Sequence, residues 1–133
     1  AKAADKPLFI DFTGHGCTNC RNVENAVWID PRVQERFKNE LILSALYVDD
    51  KIVVLDEEDQ ILDKDNEPIT KLGKKNYFIS NTKYSVNSQP TYLIVDHDGS
   101  VLAGPIAYEL NVDNYLKFLD EGIAAFKKKH NKE

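Results

Sequence analysis

The residues best suited to chemistry are the only two cysteines of the chain, Cys17 and Cys20, which lie three positions apart. They follow an apolar run over residues 8–12 and a glycine-containing turn, and they open a segment with helical spacing. A helix N-terminus carries unpaired N–H groups and a partial positive charge, which stabilise a thiolate at the first cysteine. Two cysteines on one turn can also close a disulfide with little backbone movement. The spacing therefore predicts a reversible dithiol site.

The two thiols are expected to differ in role. Cys17 lies nearer the helix end and solvent and is predicted to be the attacking nucleophile, whereas Cys20 is predicted to be the buried resolving thiol. Two other interpretations stay open, namely reduced bystander cysteines and half of a zinc site. Zinc would need two further ligands, and His15, His97 and His130 are scattered along the chain. We therefore expect no metal and no cofactor.

Two carboxylates lie close to these thiols in sequence. Asp11 falls inside the apolar run, where an ionised carboxylate is costly. It is either a strand-end aspartate bonded to backbone or water, or a buried acid of raised pKa that accepts the Cys20 proton. Glu24 follows Cys20 by four residues and shares its helical face. It is either a solvated surface residue or an acid beside the thiols.

Length and charge limit the class of protein. The 133 residues suffice for one domain with a substantial core. The net charge is −5 and no basic patch precedes the C-terminal tail, which argues against a nucleic-acid partner. No apolar stretch approaches the roughly 20 residues of a membrane span, and no signal-peptide pattern opens the chain. Because methionine is absent, we expect a processed protein or excised domain, with a leader or linker remnant over residues 1–6 and one domain over 7–130.

The first half of the chain predicts a β-α-β unit around the dithiol. Residues 8–12 form a strand buried on both faces, and a helix starts at the cysteines. Asp30 is a good N-cap and Pro31 fits the first helical position, so a second helix should run to residue 39. The apolar residues 41–48 predict a parallel strand covered on both sides.

The second half predicts an insertion, a hairpin and a final helix. The segment 50–72 is acidic and turn-like, and in it residues 52–55 and 60–62 could pair as a small hairpin. Periodicity and turn residues predict the remaining elements: a helix over 74–84, strands over 91–95 and 101–108 joined by a turn at 96–99, and a helix over 112–126. The second strand is interrupted by Gly104-Pro105 and should lie at a sheet edge.

This order of elements is similar to the thioredoxin fold, an α/β fold with a central mixed sheet flanked by helices. More narrowly, the chain resembles the C-terminal periplasmic thioredoxin-like domain of the thiol:disulfide interchange protein DsbD and its relatives. The matching segments are FIDFT at 9–13, CTNCR at 17–21, Glu24, DPRV at 30–33 and NSQPTYLIVD at 87–96. The insertion at about 50–72, before the cis-proline segment, looks like one found in some of those relatives.

The resemblance implies roles for the acids. Asp11 lies six positions before Cys17, where thioredoxin relatives carry an acid that handles the proton of the second cysteine. Glu24 matches a glutamate beside the thiols of the DsbD-type domain. We therefore expect both acids to act on Cys20, and we interpret His15 as a solvent-facing turn residue instead of a base.

The resemblance also implies a substrate surface. The peptide between Gln89 and Pro90 is expected to be cis, with Gln89 backbone groups facing the dithiol and free to pair with an extended substrate. Thr18 and Asn19, between the cysteines, should complete this surface. Gly16 stands where relatives usually carry tryptophan, so the surface is expected to differ there while the dithiol chemistry does not.

The function implied is that of a thiol:disulfide oxidoreductase of the bacterial envelope. It would reduce other thiol proteins through mixed disulfides, as in cytochrome c biogenesis, and take electrons from a membrane domain of the same full-length protein. The alternative is a redox-inert binding module that holds a partner at the Gln89-Pro90 edge and the insertion.

Overall fold

The computed structural model describes residues 5–50, 53–86 and 88–130, and the elements below belong to those residues. In chain order they are β1 (Leu8–Thr13), α1 (Thr18–Val23), α2 (Pro31–Asn39), β2 (Ile42–Tyr47), β3 (Ile61–Leu62), β4 (Pro68–Ile69), α3 (Leu72–Tyr84), β5 (Thr91–Val95), β6 (Val101–Ile106) and α4 (Val112–Lys129). A π-helical turn over Glu24–Trp28 continues α1. The sequence did not predict this π-helical geometry. Residues 1–4 of the expected leader lie outside the described residues, and the division into leader and domain stays a prediction.

Four strands form a mixed sheet in the order β2-β1-β5-β6. β1 pairs parallel with β2, from Leu8 opposite Ile42 to Thr13 opposite Tyr47. β5 pairs antiparallel with both β1 and β6. This confirms the predicted α/β fold with a central mixed sheet.

The core lies on both faces of this sheet because successive residues of a strand point to opposite faces. On one face Phe9 packs in a cluster with Val23, Val27 and Tyr115, which come from the segments of α1 and α4. On the other face Ile10 belongs to a second cluster, which also contains Phe12, Leu93 and Val95, with Ile79 and Tyr84 of α3 packed against it. The helix that carries Cys20 therefore covers the Phe9 face of β1.

β2 differs from its prediction. Residues 41–48 were expected to be covered on both sides, but the strand lies at the sheet edge and alternates in exposure. Leu46 packs against the Ile10 cluster, whereas Leu43 is 43% exposed and Ala45 is also exposed. An apolar run does not distinguish a central strand from an edge strand when only one face of the edge strand is covered.

The pairing predicted inside the insertion is also wrong. Residues 60–62 do not pair with 52–55; instead β3 pairs antiparallel with β4, and Val54 forms an isolated bridge with Lys71. The Asp63 carboxylate accepts the N–H groups of Asp65 and Glu67 and closes a short turn. These side-chain hydrogen bonds stabilise the turn between β3 and β4, which favours the observed pair. Ile52 lies outside the described residues.

Several local predictions are confirmed. Asp30 caps α2 through the N–H of Arg32 at 2.9 Å, and Pro31 is the first helical residue. β6 lies at a sheet edge, and its register shifts along the segment that contains Gly104-Pro105. The Gln89-Pro90 peptide is cis, as the resemblance implied, and Gly104-Pro105 is a second cis bond.

Candidate dithiol site

The predicted dithiol is a disulfide at the start of α1. Cys17 and Cys20 are bonded, with Cα atoms 5.3 Å apart. Cys17 is the N-cap residue of α1, and its Sγ accepts the N–H of Cys20 at 3.1 Å. Cys17 is half-buried and Cys20 is 1% exposed. This difference in exposure agrees with an attacking Cys17 and a resolving Cys20.

Asp11 is a buried acid on the strand that leads to the cysteines. It is 4% exposed and lies on the Phe9 face of β1, the face that α1 covers. Burial and, to a smaller extent, the charge of Glu24 raise its pKa to about 7, while Arg21 opposes the shift. Its Oδ1 has no hydrogen-bond partner among the described residues. These features agree with the buried-acid interpretation, and transfer of the Cys20 proton to Asp11 stays a prediction.

Glu24 is a half-exposed acid that acts on this region through its charge. Its side chain is 32% exposed, and its Oε2 lies 3.1 Å from Nη2 of Arg21. Its charge raises the pKa of both Asp11 and Tyr92, so it lies close enough to act on the buried acid electrostatically. The expectation that it lies near the site is thus supported electrostatically, whereas its role in proton transfer stays a prediction.

Sequence reasoning missed Arg21, whose side chain contacts the segments around the dithiol. Besides pairing with Glu24, its Nη2 donates to Thr13 Oγ1 at 3.1 Å and to the Gly14 carbonyl at 3.4 Å. It therefore ties α1 to the end of β1 and to the turn before Cys17. The sequence feature that could have indicated the ion pair is that Arg21 lies three residues before Glu24, a spacing that brings opposite charges together on a helix.

Tyr92 was also missed, and it lies directly opposite Asp11 in the β1–β5 pair. It is 1% exposed, and burial raises its pKa above the usual tyrosine range, with further contributions from the charges of Asp11 and Glu24. Its hydroxyl is therefore neutral throughout the physiological range and cannot serve as a base at the dithiol.

The turn before Cys17 is shaped by the segment after β2. The Asp49 carboxylate accepts the N–H groups of His15 at 2.9 Å and Gly16 at 3.2 Å. The exposed His15 ring stacks on Tyr47, with centroids 4.1 Å apart. A Cβ on Gly16 would meet nothing within 4 Å, so the surface beside Cys17 is open where relatives carry tryptophan. His15 lies in an exposed turn, as expected.

The remaining residues of the predicted substrate surface lie at the same end of the sheet. Thr91, directly after Pro90, pairs with Phe12, so the Gln89-Pro90 peptide lies where β1 leads into the dithiol turn. Pro90 is buried and the Gln89 side-chain nitrogen is buried without a partner among the described residues. Thr18 and Asn19 are exposed on α1. Asn87 of the matching segment lies outside the described residues, and substrate binding stays a prediction.

Two histidines that are scattered in sequence meet in space, but away from the cysteines. His97 follows β5 and His130 ends α4, with ring centroids 5.5 Å apart. Their nitrogens and an Asp96 oxygen lie within 4.8 Å of one another. Pro90 and the dithiol lie at one end of β5, and the two histidines lie at the other. Because this five-residue strand is roughly 17 Å long, the histidines are too far from Cys17 and Cys20 to complete a zinc site with them. Asp96 is already held by Lys129 at 2.8 Å.

The comparisons with known proteins agree with this geometry. The family model described as a thioredoxin-like domain matches residues 1–122. A solved structure titled "DsbH Oxidoreductase" is similar with a TM-score of 0.65 at 17% identity, covering 92% of this chain and 76% of that chain. A thioredoxin-fold protein from Helicobacter pylori is similar with a TM-score of 0.51 at 18% identity, covering 96% of this chain and 86% of its own. The search among curated proteins found no match.

Together the family, the fold and the Cys17–Cys20 disulfide support thiol:disulfide oxidoreductase chemistry in general. None of the helices in the described residues has the length and apolar character needed to cross a membrane.

Proposed function

The chain belongs to the thioredoxin-like domain family, and from that premise we propose that it is a thiol:disulfide oxidoreductase that donates electrons to partner proteins. The observation that carries this proposal is the disulfide at the N-terminus of α1, with one half-buried and one buried sulfur and the buried acid Asp11 on the face of β1 that α1 covers.

In the first step the Cys17 thiolate attacks one sulfur of a partner disulfide. A bond forms between Cys17 Sγ and that sulfur, and the other partner sulfur leaves as a thiolate that takes up a proton. In the second step the Cys20 thiol gives its proton to the Asp11 carboxylate and attacks Cys17 Sγ. The partner's first sulfur leaves as a thiolate, the Cys17–Cys20 disulfide forms, and two electrons have passed to the partner.

Asp11 suits the second step because of its pKa. A base is most effective when its pKa lies near the working pH, and burial brings the pKa of Asp11 to about 7. Near neutral pH a large share of the carboxyl is therefore ionised and able to accept a proton, while its affinity for that proton is far greater than that of an exposed aspartate.

The direction of transfer follows from charge. The residues between the cysteines, Thr18 and Asn19, are neutral, and Asp11 and Glu24 add negative character that disfavours a thiolate. The cation Arg21 is paired with Glu24, which limits its effect on the sulfurs. A strong oxidant depends on a stabilised reduced form. We therefore expect a reduction potential of about −200 to −270 mV, near those of glutaredoxins and thioredoxin, and not the ~−120 mV of a dedicated oxidase.

The partners and the compartment belong to the same proposal. The clients are thiol proteins of the bacterial envelope, captured as transient mixed disulfides, with cytochrome c biogenesis as one such route. The electron donor is a membrane domain of the same full-length protein. These points rest on the resemblance to the DsbD C-terminal domain stated above.

One observation favours the alternative of a redox-inert binding module. A groove of about 520 Å³ lies between the insertion and α3, lined by Ile69, Tyr77 and Phe78 among others. Such a module would bind a partner there without any exchange of sulfur bonds.

Reduction of insulin in the presence of dithiothreitol separates the two functions. The wild-type protein should accelerate precipitation of the insulin chains, and the Cys17→Ser variant should not. Equilibration with glutathione buffers then measures the potential, and a value above about −150 mV would contradict the donor role. Equal, slow alkylation of both cysteines in the reduced protein and no insulin reduction would favour the binding module.

A further inference from the structure

The carboxylate of Asp49 lies directly against the turn before Cys17. It accepts two consecutive backbone N–H groups, from His15 and Gly16. A Cβ on Gly14 would meet Asp49 Oδ2 at 3.1 Å, so the carboxylate fills the space beside this turn. The N–H of Cys17 donates to the Gly14 carbonyl at 3.3 Å. The conformation of the residues that lead into the nucleophile therefore depends on a side chain from the segment after β2, the parallel partner of β1.

Three contacts hold the segment that carries this carboxylate. The N–H of Val48 donates to the Thr13 carbonyl at 3.0 Å, which extends the β1–β2 ladder. The buried Asn76 of α3 donates to the Tyr47 carbonyl at 3.0 Å. The Tyr47 ring in turn stacks on His15. The backbone directly before Asp49 is thus held by contacts to β1, α3 and the turn before Cys17.

The charge of Asp49 lies against the backbone of Gly16, the residue directly before Cys17. The hydrogen bond from the backbone N–H of His15 holds the pKa of Asp49 below the usual range, so the Asp49 carboxylate is ionised at neutral pH. The N–H groups of His15 and Gly16, which could otherwise turn toward an anion at Cys17, are directed to this carboxylate instead. A nearby negative charge disfavours a thiolate, and the loss of N–H donors does so as well. The other charged or titratable groups around the dithiol include Asp11 from β1, Tyr47 from β2, Tyr92 from β5, His15 from the turn, and Arg21 and Glu24 from the helical segment.

We propose that Asp49 is a positioning residue that shapes the turn before Cys17 and, through its charge and its two backbone bonds, disfavours the Cys17 thiolate and so favours electron donation. This inference rests on the proposed function and names a determinant of its direction.

The test compares Asp49→Asn with Asp63→Asn. Asp63 also accepts two backbone N–H groups in an exposed turn, but that turn lies in the insertion between β3 and β4. In reduced Asp49→Asn, alkylation of Cys17 against pH should show a lower thiol pKa and a two- to fivefold larger thiolate fraction at pH 7. The equilibrium constant with glutathione should shift about threefold toward the reduced protein, which is about 14 mV. Asp63→Asn should behave as wild type, and Asp49→Glu, which keeps the charge, should stay within twofold of wild type.

Wild-type alkylation and potential in Asp49→Asn, or an equal shift in Asp63→Asn, would overturn the proposal. If Asp49→Asn does not fold, amide hydrogen exchange of the oxidised wild-type protein decides, because His15 and Gly16 should exchange at least tenfold more slowly than unprotected amides. Exchange at the unprotected rate would overturn it. Absence of insulin reduction by the wild type would refute the proposed function alone, since the alkylation profiles still report on Asp49.

Discussion

Asp11 and Asp96 lie at opposite ends of the same sheet and are equally buried, at 4% exposure each, but their chemistry is opposite. At Asp11 burial dominates and raises the pKa to about 7. At Asp96 burial also raises the pKa, but hydrogen bonds outweigh this effect and lower the pKa below the usual range. Their donors are the side chains of Lys129 and His130 and the backbone N–H of His97. The same residue type at the same exposure thus has a raised pKa in one place and a lowered pKa in the other, because Asp96 accepts hydrogen bonds from Lys129 and His130 whereas burial dominates at Asp11.

The difference indicates which end of the molecule is organised for reaction. A buried carboxylate with an unpartnered oxygen is costly, and it persists at the end of the sheet where the disulfide lies. A carboxylate with paired partners stabilises the fold, and it joins the turn after β5 to the end of α4 through Lys129 and His130.

The largest expected effect is on resolution of mixed disulfides. Asp11→Asn keeps the shape but removes the base, so release of a partner from Cys17 should slow about 100-fold near neutral pH. Stopped-flow measurement of the decay of a mixed disulfide checks this. Asp96→Asn is the matched control and should decay at the wild-type rate. Equal rates in wild type and Asp11→Asn would make Asp11 a structural residue.

The second effect is on the pH dependence of stability. The unfolded chain releases the Asp11 proton near the ordinary pKa of 3.8 and the native protein near 7. Between these values the native protein binds more protons, so stability falls as pH rises from about 4 to about 7. With an upper limit of about 1.4 kcal/mol per pKa unit, we expect a loss on the order of 2 kcal/mol. Urea unfolding of the oxidised protein should show this decline, and Asp11→Asn should remove it.

The third effect is the reverse behaviour of Asp96. Its lowered pKa contributes stability that is present above the ordinary carboxyl pKa and is lost as pH falls below it. Asp96→Asn should lower the free energy of unfolding at pH 7 by about 1–2 kcal/mol, since both hydrogen-bond partners, Lys129 and His130, are partly exposed. Asp11→Asn should be neutral or stabilising at the same pH. A larger stability loss in Asp11→Asn than in Asp96→Asn would contradict the comparison.

The smallest expected effect is that of the Glu24 charge on the pKa of Asp11. Glu24→Gln removes the nearby charge that adds to the raised pKa of Asp11. The midpoint of the Asp11-dependent resolution step should fall by a few tenths of a pH unit, and its rate at pH 7 should change about twofold at most. The pH profile of mixed-disulfide decay measures this shift. Lys127→Gln is the control, because Lys127 pairs with Glu40 away from the site.

The sequence by itself determined the elements that place the dithiol. The apolar run of β1, the glycine turn, the C-x-x-C spacing and the capping pair Asp30-Pro31 are local signals, and each produced the expected strand, helix start or cap. Local signals suffice there because propensity and capping act over a few neighbouring residues. The burial of Asp11 was foreseen for the same reason, since it lies inside an apolar run.

Only the tertiary structure decided features that depend on distant residues. The exposure of Leu43 depends on which strands lie beside β2, and the pairing of β3 with β4 depends on a turn competing with other partners. The two hydrogen bonds that Asp49 accepts, from the N–H groups of His15 and Gly16, join residues that are 34 and 33 positions apart in the sequence. No periodicity in the sequence records such a distance, because side-chain hydrogen bonds and electrostatic fields follow separation in space and not separation along the chain.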